Sequence, residues 1–146
     1  SSDLISHPGY PEHVQSTVNA LEAHFGRIGW VAERSFGHEI GFAGKCDLHA
    51  PESAFAGGIV VDVKTKDFSD ENEVKGYDDH LMQLAAYRIG LGIPNARCAN
   101  IFVAREKTED GKVLCKIIEW SEEDLQRGWE MFHHLLQFWQ KKNKYK

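Results

Sequence analysis

Two acidic side chains and a lysine on consecutive predicted strands could form a small hydrolytic centre. The segment 59–64 is short and rich in β-branched residues, which predicts a strand. Because side chains alternate along a strand, Asp62 and Lys64 share a face, with Cα atoms roughly 6.5–7 Å apart. An acid and an amine at that spacing can reach one site.

Asp47 lies near the end of the preceding predicted strand, residues 42–49. If the two strands pair as a hairpin, Asp47 comes beside Asp62. Two neighbouring carboxylates repel each other unless a proton or a cation lies between them. Carboxylate oxygens suit Mg²⁺ or Mn²⁺, and the carbonyl of Val63 could add a further oxygen. The pattern therefore predicts a divalent metal site.

Such an ion would polarise a phosphodiester and lower the pKa of a bound water. Lys64 would orient or activate that water, or stabilise charge on the phosphate oxygens. A lone Asp-x-Lys is usually a surface ion pair, and Asp47 could be an ordinary turn residue. However, the apolar residues 59–61 predict a buried strand. Charged side chains are rarely buried without a partner, so charges at the end of such a strand indicate a specific role.

A third group follows on the next predicted helix. Gln83 and Tyr87 are four residues apart, so they share a helix face and could hold a water, a phosphate or the lysine. An ordinary amphipathic helix is the alternative reading.

The predicted elements come in the order helix, three strands, helix, two strands, helix. This order favours an α/β fold, a mixed sheet with helices on its faces. Alternation places Cys46 and Leu48 on one face of the second strand. The second helix is predicted over about 74–91. The last helix is predicted to begin after Ser121 and to bury one apolar stripe in the core: Leu125, Trp129, Phe132, Leu136 and Trp139.

Composition fits one globular domain over residues 1–146, with 42% hydrophobic and 27% charged residues. No apolar run approaches the ~20 residues of a membrane span. The three cysteines are far apart, which argues against a disulfide scaffold. We therefore expect an intracellular, reducing compartment, bacterial or phage-infected cytoplasm, with the mitochondrial matrix as an alternative.

The net charge of −5 counts against a nucleic-acid binder. Carboxylates that hold cations account for part of that charge. Lys141, Lys142, Lys144 and Lys146 crowd the C-terminus. They could contact phosphates or form a solvated tail, and both readings stay open.

Three motifs together resemble the RecB-like branch of the PD-(D/E)xK nucleases. They are Gly44-Lys45-Cys46-Asp47, Asp62-Val63-Lys64-Thr65 and Gln83-x-x-x-Tyr87, within residues 33–87. Residues 33–39 are similar to mitochondrial genome maintenance exonucleases and their phage or bacterial relatives. The resemblance implies a restriction-endonuclease-like mixed central β-sheet flanked by α-helices, bound Mg²⁺ or Mn²⁺, and a DNA substrate that is single-stranded or has free ends.

The resemblance also implies roles for individual residues. Asp47 and Asp62 match the metal-binding acids, and Lys64 matches the catalytic lysine. Gln83 and Tyr87 match a motif beside the active site. Glu33 matches an acidic position on the first strand of the family, to which we assign no role.

The chain departs from the family at two points. Many relatives carry a metal-binding histidine upstream of the first strand, yet none of His7, His13 and His24 copies that motif. The ligand could lie in N-terminal sequence that precedes this chain, which could be truncated. Relatives with an iron–sulfur cluster use four cysteines, so we expect no such cluster.

We expect an exonuclease acting in replication, recombination or repair. A structure- or site-specific endonuclease is the alternative within enzymes. A non-catalytic DNA-binding domain and an acidic interaction domain without nucleic acid are the non-enzymatic alternatives. The sequence leaves cleavage polarity and oligomeric state open.

Overall fold

A computed structural model of the chain describes residues 10–143, which form three helices and one five-stranded sheet. The expected mixed sheet flanked by helices is confirmed. None of the helices in residues 10–143 is long and apolar enough to span a membrane. In chain order the elements are α1 (Pro11–Phe25), β1 (Val31–His38), β2 (Phe42–Ala50), β3 (Ile59–Lys66), a 3-10 turn (Glu71–Glu73), α2 (Asp78–Gly90), β4 (Arg97–Ala104), β5 (Cys115–Trp120) and α3 (Glu122–Lys142).

The strands lie in the sheet in chain order, from β1 to β5. Three of the four neighbouring pairs are antiparallel, and only β3 and β4 run parallel. A parallel pair needs a long crossover connection, and α2 supplies it. The same helix therefore connects the two central strands and carries Gln83 and Tyr87.

The central strand β3 is buried on both faces, as its continuous apolar run predicted. Ile59, Val61 and Val63 pack on the α1 side of the sheet, with Leu21 and Phe25. Val60 packs on the other side, with Leu81 and Leu84 of α2. The predicted assignment of side chains to the two faces of β3 is confirmed.

The apolar stripe predicted for α3 is only partly core, so that prediction was wrong for its C-terminal half. Leu125 is buried, but Trp139 is 48% exposed. The two helices differ in length. Helix α3 has 21 residues and its partner α2 has 13, so α3 is longer than α2 by roughly 12 Å. Two neighbouring apolar side chains on α3 are also exposed, Leu135 at 55% and Phe138 at 64%.

Helix α2 begins at Asp78, four residues later than predicted, because the residue before it, Tyr77, is extended. Its far end is held against α3 by Arg88, which is buried. The guanidinium group donates to both carboxylate oxygens of Glu122, at 2.7 and 3.0 Å, and to the carbonyl of Ala96 at 3.2 Å. This pair fixes the helix that carries the predicted site residues Gln83 and Tyr87.

Replacing Glu122 by Ala should cost more stability than replacing Arg88 by Met. The first change leaves a buried guanidinium without its carboxylate, at a cost of ~2–4 kcal/mol. The second leaves only an exposed carboxylate behind. Urea unfolding measures both, and Glu123→Ala, at an exposed neighbouring position, is the control. Equal stability of Glu122→Ala and Glu123→Ala would show that the pair does not hold α2.

Candidate active site

The site forms where β2 and β3 stop pairing. Their ladder covers only three residue pairs, from Ala50↔Ile59 to Leu48↔Val61. Beyond Leu48 the backbones separate, and the side chain of Asp47 fills the gap. Its Oδ2 accepts a hydrogen bond from the backbone N–H of Val63 at 2.9 Å. A carboxylate thus replaces a backbone partner, which buries Asp47 at a fixed position beside β3.

The side-chain alternation of β2 breaks at the same level. Cys46 packs on the α2 side of the sheet, whereas Leu48 packs on the α1 side. The prediction that these two residues share a face was therefore wrong. Glu33 lies level with Asp47 but is absent from the otherwise continuous β1–β2 ladder, and its φ of 52° is left-handed. The alternation of β2 thus breaks at the level where the β1–β2 ladder is interrupted, a feature that a strictly period-2 reading cannot anticipate.

Asp62 lies next to Asp47 and is 4% exposed. The Nζ of Lys64 lies 3.1 Å from its Oδ2. Burial is the largest influence on the Asp62 carboxyl and raises its pKa to about 6, the nearby Asp47 carboxylate adds to the increase, and the Lys64 ammonium opposes it. The structure therefore brings Asp47, Asp62 and Lys64 together as the sequence predicted.

Gln83 and Tyr87 complete this cluster from α2. The Oε1 of Gln83 lies 3.4 Å from Lys64 Nζ, and its Nε2 donates to the Tyr87 hydroxyl at 2.9 Å. Tyr87 approaches β2 closely at Gly44, where an added Cβ would lie 2.8 Å from its ring. Burial raises the pKa of the Tyr87 hydroxyl. The glutamine therefore positions the lysine, and the glycine lets the tyrosine reach the glutamine.

Two residues of the cluster were missed by the sequence analysis. Asn100 of β4 pairs in register with Asp62 and is fully buried. Its Nδ2 donates to Asp62 Oδ2 at 3.3 Å, and its Oδ1 accepts from the indole N–H of Trp120 at 2.9 Å. A lone amide within the apolar run of β4 was the available indication, because a buried polar side chain needs a partner.

The other candidate residues lie outside this cluster. The ion-pair partner of Glu33 is Lys45, at 3.8 Å. His13 is bonded to the carbonyl of Arg105 at 2.7 Å, and His24 pairs with Glu119 at 2.8 Å. Both histidines belong to α1, on the sheet face opposite Gln83. His7 falls outside the described residues.

The described part of the chain gathers no group of three or more His, Cys, Asp or Glu side chains around a possible ion. Asp47 and Asp62 are the two carboxylates of the cluster described above. One oxygen of each acid, Oδ2, accepts a hydrogen bond from a neighbouring amide, which limits how far the carboxylate can turn. Two carboxylates with water fit Mg²⁺, which keeps several waters when bound.

No protein-family model matches the chain, and no curated protein matches it. Among solved structures, LHK-Exo, an alkaline exonuclease from Laribacter hongkongensis, is similar with a TM-score of 0.51 at 12% identity, over 89% of this chain and 70% of that chain. The chain shares the fold of an alkaline exonuclease. A protein named SSO0001 matches with a TM-score of 0.37 at 18% identity, over 84% of this chain and 56% of that one.

Metal-free protein should become more stable at pH 7.5 when Asp62 is replaced by Asn. Because the folded-state pKa of about 6 exceeds the usual 3.8, the folded state holds this proton more tightly than the unfolded state. Stability therefore falls as pH rises from about 4 to about 6, at a cost of at most about 3 kcal/mol above that window. The variant removes this cost, so we expect a gain of ~1–3 kcal/mol at pH 7.5 and little change at pH 4.

Urea unfolding in EDTA at the two pH values measures this difference, with Asp67→Asn as an exposed control. A variant that is less stable than the wild type at pH 7.5 would make the Asp62 carboxylate a structural group.

Proposed function

We propose that the chain is a metal-dependent nuclease that hydrolyses DNA phosphodiester bonds. The observation that supports this most directly is the contact of two buried carboxylates, Asp47 and Asp62, beside the ammonium group of Lys64. Burial of two neighbouring acids destabilises a fold unless a proton or a cation joins them. A site built at this cost is expected to have a function.

The proposed cofactor is Mg²⁺ or Mn²⁺. Asp47 and Asp62 would hold it through their carboxylates, and the carbonyl of Val63 would add a further protein oxygen. All three are hard oxygen donors, and water completes the coordination that these ions prefer. When bound, the ion would polarise the phosphodiester and lower the pKa of an adjacent water.

The protein groups then have separate tasks. The ammonium of Lys64 orients the attacking water and stabilises negative charge on the phosphate oxygens as the new P–O bond forms and the old one breaks. Gln83 accepts from Lys64 and donates to Tyr87, which limits where the ammonium can point. Holding a catalytic group in position before the substrate binds lowers the entropic cost of the reaction.

The motifs support a place in the RecB-like branch, near the mitochondrial genome maintenance exonuclease-like proteins. We propose an exonuclease acting on single-stranded DNA or DNA ends, in replication, recombination or repair. The fold shared with an alkaline exonuclease supports this proposal. Three free cysteines in the described residues, Cys46, Cys98 and Cys115, support a reducing intracellular compartment.

Asp47→Asn, Asp62→Asn and Lys64→Ala should each abolish metal-dependent cleavage while the cooperative melt survives. Each variant removes a group that the reaction needs, and the amides keep the shape of the acids. Gln83→Ala and Tyr87→Ala should reduce activity less, because they position Lys64 without touching the reacting atoms. End-labelled single-stranded DNA, incubated with Mg²⁺ or Mn²⁺, reports cleavage.

Asp67→Asn is the matched acidic control, since its carboxylate is exposed and pairs with Arg105. If wild-type protein cleaves no better than the three active-site variants with either metal, the proposal is wrong. DNA binding without cleavage would then indicate a binding module. Failure to bind even at low salt would indicate an interaction domain without nucleic acid.

Asn100→Ala should weaken Mn²⁺ binding by about 10–100-fold, as the loss of outer partners of metal ligands typically does. The amide fixes one oxygen of Asp62, so its loss lets the carboxylate turn. Isothermal titration of the metal-free protein with Mn²⁺ measures the affinity directly. Trp120→Phe, which removes only the indole N–H, should have a smaller effect in the same direction. Wild-type affinity in Asn100→Ala would show that Asp62 is positioned without the amide.

A further inference from the structure

A mainly apolar cleft opens beside the candidate active site. It has a volume of about 250 Å³ and lies between the β1–β2 hairpin, α2 and α3. Gln83 and Tyr87 line it, so it is separated from Lys64 by a single side chain. The rest of its lining is mostly apolar and includes Phe42, Met82, Phe132 and Leu135. The cleft therefore shares Gln83 and Tyr87 with the proposed catalytic cluster.

The exposed face of α3 extends this cleft away from the acids. Leu135, Phe138 and Lys142 are spaced by three and four residues, so they lie in one row along the helix. A second hollow of about 380 Å³ is lined by Phe138, Lys141, Lys142 and Gln137. Lys141 and Lys142 are both exposed. We call Leu135, Phe138, Lys141 and Lys142 the α3 track.

We propose that the cleft and the α3 track bind an unpaired single strand that leads into the active site. This inference rests on the proposed nuclease function and assigns the strand a path. Bases would pack on Met82, Leu135 and Phe138, while phosphates would lie near Lys141 and Lys142. Apolar or aromatic surfaces that alternate with cations are the usual means of holding single strands without sequence preference.

Charge and length favour this occupant. Asp79 is the charged residue that lines the cleft, which disfavours a phosphate there and leaves room for a base. The two lysines lie at the far end, where phosphates would find cations. Leu135 and Lys142 are roughly 10 Å apart along the helix axis, a distance that two or three nucleotides can span.

An exposed apolar row can also mark a contact between protein molecules. The wall shared with the catalytic cluster, through Gln83 and Tyr87, and the lysines at the far end together favour a nucleic-acid strand here, because its phosphates and bases would meet cations and apolar surface in turn. Self-association through this face is therefore an outcome that the test must detect.

The test measures equilibrium binding of fluorescein-labelled oligo-dT and of a duplex of the same length, in EDTA so that cleavage is blocked. Leu135→Ala and Phe138→Ala should weaken oligo-dT binding by about 5–50-fold and affect the duplex less. Val18→Ala, an exposed apolar residue on α1, is the matched control and should leave binding unchanged.

Lys141→Gln and Lys142→Gln should weaken oligo-dT binding and reduce its salt dependence, each lowering the slope of log K against log salt by about 0.7. Lys112→Gln, at an exposed position in the β4–β5 connection, is the charge-matched control. All these side chains are exposed, so unchanged melting temperatures are expected and are checked for every variant.

Wild-type binding by the track variants, or an equal loss in the control variants, would overturn the inference. Sedimentation of wild-type protein as a dimer that Phe138→Ala dissociates would overturn it in favour of self-association. The proposed function fails separately: oligo-dT that binds through the track but is not cleaved with Mg²⁺ or Mn²⁺ leaves the strand path intact and refutes hydrolysis. Normal cleavage together with unaltered oligo-dT binding in the track variants would instead refute the strand path and leave the proposed hydrolysis intact.

Discussion

The candidate site depends on one hydrogen bond, from the backbone N–H of Val63 to the carboxylate of Asp47. An amide at the edge of a separating ladder must find a partner, because an unpaired buried N–H is costly. By using a carboxylate as that partner, the fold fixes an acid beside Asp62 where the next backbone pair would have formed. The strand separation and the acid pair are thus a single structural feature, and Lys64 follows because it shares a face with Asp62.

Much of this arrangement could be predicted from local sequence. The alternation of β3 correctly separated Val61 from Asp62, and the spacing of Gln83 and Tyr87 correctly placed both on one helix face. These features depend only on the period of a strand or a helix. The three motifs also lay on the predicted elements, so their convergence required only that neighbouring elements pack together.

Other features depend on contacts that a single sequence does not contain. The broken alternation between Cys46 and Leu48 coincides with the interruption of the β1–β2 ladder at Glu33, on another strand. Asn100 reaches Asp62 only because β3 and β4 are parallel in one specific register. The apolar residues at the end of α3 looked like core because helical periodicity reports a face and does not report how far the partner helix extends.

The two strands that carry the acids differ in how they are held. Asp62 lies on a strand that is buried on both faces, so its backbone amides should exchange with solvent only when the whole domain unfolds. The far end of the β1–β2 hairpin is more exposed, and it meets α3 through Phe42, whose ring centroid lies 5.2 Å from that of Phe132, and through Gln140, which donates to the Ile40 carbonyl. Asp47 belongs to the inner part of this hairpin, where β2 is mostly buried. The acid pair therefore joins a strand that is buried on both faces to a hairpin that packs on α3.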